Sequence, residues 1–324
     1  MVGTVHLGIG SVIAQGAVLR SVDGCIRMGH VSLFLENGVL IGGPGFPASV
    51  GSKTVFGHRC LVVGATIGDL CEVGNSTILM PGARLGKGCM TGEGTLIPAG
   101  VAIPDDSVVV GRPGKIIRST SEEDKRRVLR LRAGDITIPP GKLNQYDYPL
   151  RRTRTMGRLY AYGDRHPRVH PTAYLFDSAE ITGDVTIGEE CIIGAGVKII
   201  GDSHGPVRIG RRVQILENTV LHLLPDNRLI VEDDVVIGPG AMIHGCHIGS
   251  GCIVEPGAIV CDYSRIGSNC VVKAGTLVKQ HDEFHDGCEI EGFPGKVSGR
   301  RDGRPPLPSW ALSLEIVRRL ETTG

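Results

Sequence analysis

Residues 237–248 read IGPGAMIHGCHI, and residues 216–222 just upstream read LENTVLH. Both stretches have counterparts in the first half of the 324-residue chain, at one constant offset. Leu35-Glu36-Asn37 returns as Leu216-Glu217-Asn218, and Gly111-Arg112-Pro113-Gly114-Lys115 returns as Gly292-Phe293-Pro294-Gly295-Lys296. Between those anchors the spacing never slips: Cys71 falls on Cys252, Cys89 on Cys270 and Gly64 on Gly245. One module is written twice, and the copies are most informative where they differ.

From Ile248 an aliphatic residue falls at every sixth position: Ile248, Val254, Val260, Ile266, Val272, Val278. Ile67, Val73, Leu79, Leu85 and Ile97 keep the same beat in the first copy, with Thr91 in one slot. Ile181, Ile187, Ile193 and Ile199 open the second copy in the same way. A period of six fits neither a helix nor a meander of hairpins. It predicts a hexapeptide parallel β-helix, about three hexapeptides closing one triangular coil of roughly 18 residues. The expected fold is all-β: two tandem β-helix domains with short flanking α-helices.

Composition agrees. Aromatics are scarce at 4% and glycines number 48, which suits thin, regularly turning coils better than a bulky core. Lys and Arg total 35 against 34 Asp and Glu, so charge points to no nucleic-acid or membrane partner. The ten cysteines include no CxxC pair, which argues against a disulfide or thiolate–metal framework. No signal peptide and no membrane-spanning run is seen, and a cytoplasmic location is expected.

The spacing predicts a first β-helix over residues 1–118, beginning inside a coil, then a helix over 119–134 with a solvated arginine face. An irregular linker over 135–165, containing YDYP and RRTR, should lead to the second β-helix over 166–300. Residues 301–324 read as a proline stop and a final amphipathic helix lying on the outer face of the coil.

The Ile-Gly-x-x-x-x repeats closed by GRPGK or GFPGK resemble the left-handed β-helix superfamily of hexapeptide acyltransferases and γ-class carbonic anhydrases. The left hand is expected from that resemblance alone. Residues 170–188, HPTAYLFDSAEITGDVTIG, together with LENTVLH and VIGPGAMIHGCHIG, are most similar to the γ-class carbonic anhydrases. The likeness extends over nearly all of copy two and most of copy one.

The resemblance implies three metal-binding histidines, one ending an (I/L)xxxVxH strand, one in IGH and one five residues later in HG. Copy two supplies His222 and His244, but Pro239 stands in the IGH place. Copy one supplies His58 there, with Ile41 and Val63 in the other two. Each position is thus filled in one copy only. His222 and His244 are separated by one coil plus a small bulge at Leu223–Asn227, and should occupy adjacent rungs of one face. His58 should project from a different face, so a three-histidine site must form between two prisms packed side by side. The expected cofactor is Zn2+, with Fe2+ or Co2+ as alternatives, at most one per chain. The eight other histidines, at 6, 30, 166, 170, 204, 247, 281 and 285, fit no ligand position.

Further roles follow from the same likeness. Arg20 matches the arginine of the family's VLRGD, and copy two keeps Gly201-Asp202 without it. Glu217 and Asn218 follow the family pattern and would orient a ligand or water, although Leu35 and Leu216 replace its glutamine. The activity implied is reversible hydration of carbon dioxide to bicarbonate, in an oligomer of β-helix domains or with an additional γ-carbonic-anhydrase-like subunit. Two alternatives stand beside it: a non-catalytic hexapeptide subunit or scaffold, and a coenzyme-A-dependent acyltransferase using His244 or His58 as base.

Overall fold

The computed structural model describes residues 1–148, 150, 157–202 and 205–322. Part of the expected linker (149 and 151–156), His204 and the last two residues of the tail lie outside them. The chain divides into two units, one of residues 1–150 with 315–324 and one of residues 151–314. Almost every regular element is a short parallel strand, and only two helices occur among the described residues.

The second unit is the more regular. Three parallel sheets run along it, each with seven parallel strands, so it is a triangular prism of seven coils. One sheet extends from Arg158–Tyr160 to Leu277–Val278, and a second from Arg168–Val169 to Glu283–Phe284. The third runs from Tyr174–Leu175 to Cys288–Gly292 and is finished by the antiparallel strand Gly295–Arg300. The every-sixth residues fill the interior: Ile248, Val254, Val260, Val272 and Val278 are all fully buried. Each such side chain contributes about 1.5–3 kcal/mol by leaving water.

The first unit follows the same plan with one face interrupted. Strand Val18–Met28 turns a corner, pairing with Val39–Gly42 through its first half and Ala48–Val50 through its second. Two faces are thereby joined into an 11-stranded sheet. Thr91, the polar residue in the aliphatic row, is buried and its hydroxyl lies 3.0 Å from that of Thr77, so each hydroxyl has a partner. The copies keep their constant offset from Ile26, which matches Val207, onward. Before it the register slips by one, and Val18 aligns with Lys198 instead of Ile199. The extra residue falls between Gly201 and Val207.

Corners are tight. A Cβ on Gly68 would stand 2.6 Å from the backbone nitrogen of Lys87, so only glycine lets the coils stack there.

Helix α1, Glu122–Leu131, lies within the expected 119–134. Ser121 starts it with a capping box: its Oγ accepts from Asp124 N and its own N donates to Asp124 Oδ2, at 3.2 and 2.7 Å. Arg126, Arg127 and Arg130 are exposed, the solvated face expected. Just beyond, Arg132 donates to Lys53 O and, at 2.6 Å, to Glu72 Oε1, while Lys53 Nζ pairs with Asp135 at 2.7 Å.

Residues 135–165 are not irregular throughout. Asn144–Tyr148 is a strand that runs antiparallel to Val2–Leu7, and Arg158–Tyr160 forms the first rung of the second unit. The outer edge of Val2–Leu7 leaves backbone groups that need partners, and Asn144–Tyr148 supplies them. The tail ends in a helix, as expected, and is divided between the units. Trp310 and Leu312 are buried, and Leu312 N donates to Gln214 Oε1 at 2.8 Å in the second unit. Helix α2, Leu314–Thr322, instead serves the first unit from Glu315 on: Leu320 O accepts from Leu150 N at 2.7 Å, and Arg319 pairs with Asp23. No helix among the described residues is long and apolar enough to cross a membrane.

Candidate functional site

His222 and His244 follow directly on the strands Val220–Leu221 and Met242–Ile243, which pair in register. Their rings stand 6.0 Å apart, centre to centre, with planes at 87°. The separation of one coil plus a bulge therefore does what the sequence implied, setting two imidazoles on neighbouring rungs of one face.

Each ring has a carboxylate beside it. Asp202 Oδ2 lies 3.5 Å from His222 Nε2, and Asp262 Oδ2 lies 3.2 Å from His244 Nδ1. Both histidines are about 30% exposed, so the row Asp202–His222–His244–Asp262 is open to solvent at its centre and buried at Asp262, whose side chain is 4% exposed. The bulge expected at Leu223–Asn227 is fastened to this row, since Leu224 N and Asn227 Nδ2 both donate to Asp262 Oδ1. Asp262 was not singled out by sequence, and Asp202 only as the family's partner of Arg20, not as a neighbour of His222. Each stands about one coil away from its histidine along the chain, and that was the available signal.

His58 lies in the first unit on an exposed corner, its Nδ1 2.8 Å from Glu36 Oε2. Pro239 takes its place in the second copy, and Glu217, the counterpart of Glu36, is completely buried there. Asn218 occupies a left-handed corner at φ 55°, as Asn37 does at φ 58°, and each amide oxygen sits over a glycine of the preceding coil, Gly196 and Gly16. Asparagine is among the few residues that adopt this conformation readily, so Asn37 and Asn218 have a corner-forming role in their copies. Arg20 is buried in mid-strand, in register with Val2 and Ile41.

Among the described residues, no three His, Cys, Asp or Glu side chains gather as a metal ion requires. Two imidazoles suit zinc in chemistry but do not complete a site within the second unit.

Two segments match family models, one in each copy. Residues 229–262 match the bacterial transferase hexapeptide (six repeats), and residues 47–81 match the hexapeptide repeat of succinyl-transferase. This is a hexapeptide-repeat protein. The chain is 44% identical over 90 residues to an uncharacterized transferase, YtoA, of Bacillus subtilis, and 38% identical over 104 residues to a carbonic anhydrase of Geobacillus kaustophilus. Those segments are 28% and 32% of this chain and span only 52% and 57% of the relatives' length. A solved structure of a putative acetyltransferase from Bacillus cereus is 32% identical, with a TM-score of 0.44 over 52% of this chain and 90% of that one.

Proposed function

We propose that the hexapeptide-repeat protein is a γ-carbonic-anhydrase-like zinc protein that hydrates carbon dioxide. The observation that carries the reading is the in-register pair His222 and His244, 6.0 Å apart on the face and spacing that the family resemblance requires. The third donor would be His58 presented by a neighbouring copy of the chain. A zinc ion there would lower the pKa of a water toward about 7 and polarise carbon dioxide. The chain's own contribution is orientation: Asp262 Oδ2, 3.2 Å from His244 Nδ1, would favour a proton on that nitrogen and leave Nε2 for the metal, and Asp202 lies 3.5 Å from the ring of His222. The likeness to a carbonic anhydrase over about a third of the chain supports this reading. The test is stopped-flow carbon dioxide hydration by the metal-supplemented protein. A rate above background that disappears in His222→Ala and His244→Ala is expected, and a parent protein at background would contradict it.

A second reading is supported by the transferase named among the relatives and by the two histidine–carboxylate pairs, which suit proton acceptance without a metal. In that case the protein is a coenzyme-A-dependent acyltransferase with His244 as base. A thermal shift with coenzyme A, lost in His244→Ala, would favour it. The absence of any shift would argue for hydration or for a scaffold without turnover.

A further inference from the structure

The second-unit sheet that runs from Arg168–Val169 to Glu283–Phe284 carries none of the residues discussed as a site. Along its middle, Arg208, Ile230, His247, Arg265 and Glu283 stack in register on successive coils. At the corner beyond it, the inward residue is followed by glycine on four coils, Gly188, Gly210, Gly249 and Gly267, by His170 and His285 on the first and last coils, and by Glu232 after Val231. The first copy keeps glycine there: a Cβ on Gly51 would lie 2.5 Å from Asp69 N. A glutamate at such a corner needs local rearrangement, and its side chain is put to use.

Glu232 Oε1 is 2.7 Å from His247 Nε2. Its Oε2 accepts from Ser250 N at 3.0 Å and from Ser250 Oγ at 2.8 Å. The first copy has Thr66 and Asp69 where the second has His247 and Ser250, so three changes at one spot create a histidine–carboxylate pair. Burial pushes the pKa of Glu232 up, but the bonds from Ser250 and His247 outweigh it and hold the group below the ordinary glutamate value. An ionised Glu232 accepts from Nε2–H, which leaves the Nδ1 lone pair of His247 available as an acceptor.

Two hollows of about 410 and 320 Å³ share His247, Arg265 and Glu283 in their walls, and Arg228 lines the larger. Among the described residues, neither Arg228 nor Arg265 has an ion-pair partner. Two guanidinium forks facing one hollow match the oxygens of a carboxylate or a phosphate.

We propose that this hollow is a second ligand site, taking a small organic anion that carries a hydroxyl group. Arg228 and Arg265 hold the carboxylate or phosphate, and the hydroxyl donates to His247 Nδ1. The proposal does not rest on the zinc reading: Arg228, Arg265 and His247 are none of the residues proposed to hold the metal, although Asn227 and Gly245 in the wall of the larger hollow also bond to Asp262.

The test is 15N–1H NMR of the imidazoles in the full chain, titrated with glycolate and with glycerol 3-phosphate, and with acetate as the control lacking a hydroxyl. The His247 signals are identified by their loss in His247→Asn. They should shift saturably with glycolate or glycerol 3-phosphate at low-millimolar or lower Kd. Acetate should bind at least tenfold more weakly, and Arg265→Ala should weaken the ligand by at least tenfold. Arg265 is exposed, and an unchanged thermal midpoint verifies that its replacement leaves the fold intact. Saturation by one compound alone tells a carboxylate site from a phosphate site. Shifts that rise linearly with both compounds, or an equal Kd in Arg265→Ala, would overturn the proposal. His222→Ala should leave the titration unchanged, so this site and the zinc site succeed or fail separately.

Discussion

Asp262 faces His244 with one carboxylate oxygen and gathers three nitrogens with the other. Oδ2 lies 3.2 Å from His244 Nδ1, while Oδ1 accepts from Leu224 N at 2.9 Å, Gly245 N at 3.1 Å and Asn227 Nδ2 at 3.2 Å. A carboxylate at that distance would favour the tautomer of His244 that carries its proton on Nδ1. It also ties the 223–227 bulge to the orientation of that ring.

Asp262→Asn should therefore disturb His244 without emptying the corner. On the zinc reading, metal affinity falls by roughly 10–100-fold, the usual effect of losing a carboxylate behind a ligating imidazole. Imidazole 15N shifts of the metal-free protein should show His244 leaving a single Nδ1–H tautomer. Asp262→Ala goes further, stranding buried backbone donors at about 1–3 kcal/mol each, and a clearly lower thermal midpoint is expected.

The buried cysteines should be shielded from reagents in the folded protein. Burial pushes Cys60 and Cys71 up to about 12 and Cys191 up to about 11, from an ordinary thiol near 9. Cys25 and Cys261 are the two that are only half-buried. A maleimide at neutral pH should label no more than those two in the native protein and all ten after unfolding. Because the folded pKa values of Cys60, Cys71 and Cys191 are raised, these three thiols add nothing to the pH dependence of stability below about 9. Above it the unfolded chain releases protons that the folded one keeps. Stability should fall as pH rises from about 9 to 12, and denaturant midpoints across that range check the sign.

The corners should be intolerant of a methyl group. Gly68→Ala places a Cβ 2.6 Å from Lys87 N and 2.8 Å from Gly86 C, both backbone atoms that cannot swing aside. A loss of roughly 1–3 kcal/mol is expected, the range for overpacking, read as a lower urea midpoint. Gly134→Ala, where a Cβ meets nothing within 4 Å, is the steric control, with strain only from its φ of 81°.

Much of this fold was legible because its rule is local. A β-helix repeats one contact pattern every coil, so the six-residue beat from Ile248 to Val278 is also the list of interior side chains. The His222–His244 pairing was legible for the same reason, since the two are one coil plus a bulge apart. The strand Asn144–Tyr148 was not. It returns from the far end of the first unit to pair with Val2–Leu7, and nothing in YDYP announces a partner so distant. The repeat likewise says nothing about which coil a helix of ordinary amphipathic pattern will cover, and helix α2 goes with the first unit. His247 looked unremarkable until Glu232 was seen beside it, around a corner where glycine was expected.

The central claim is that a zinc ion binds through His222 and His244. Metal content of the purified parent protein and of His222→Ala, each at known chain concentration after dialysis against a weak chelator, tests it most directly. The account predicts close to one ion, and no more, per parent chain and essentially none in the variant. A parent protein without stoichiometric metal, or a variant that keeps it, would contradict the claim.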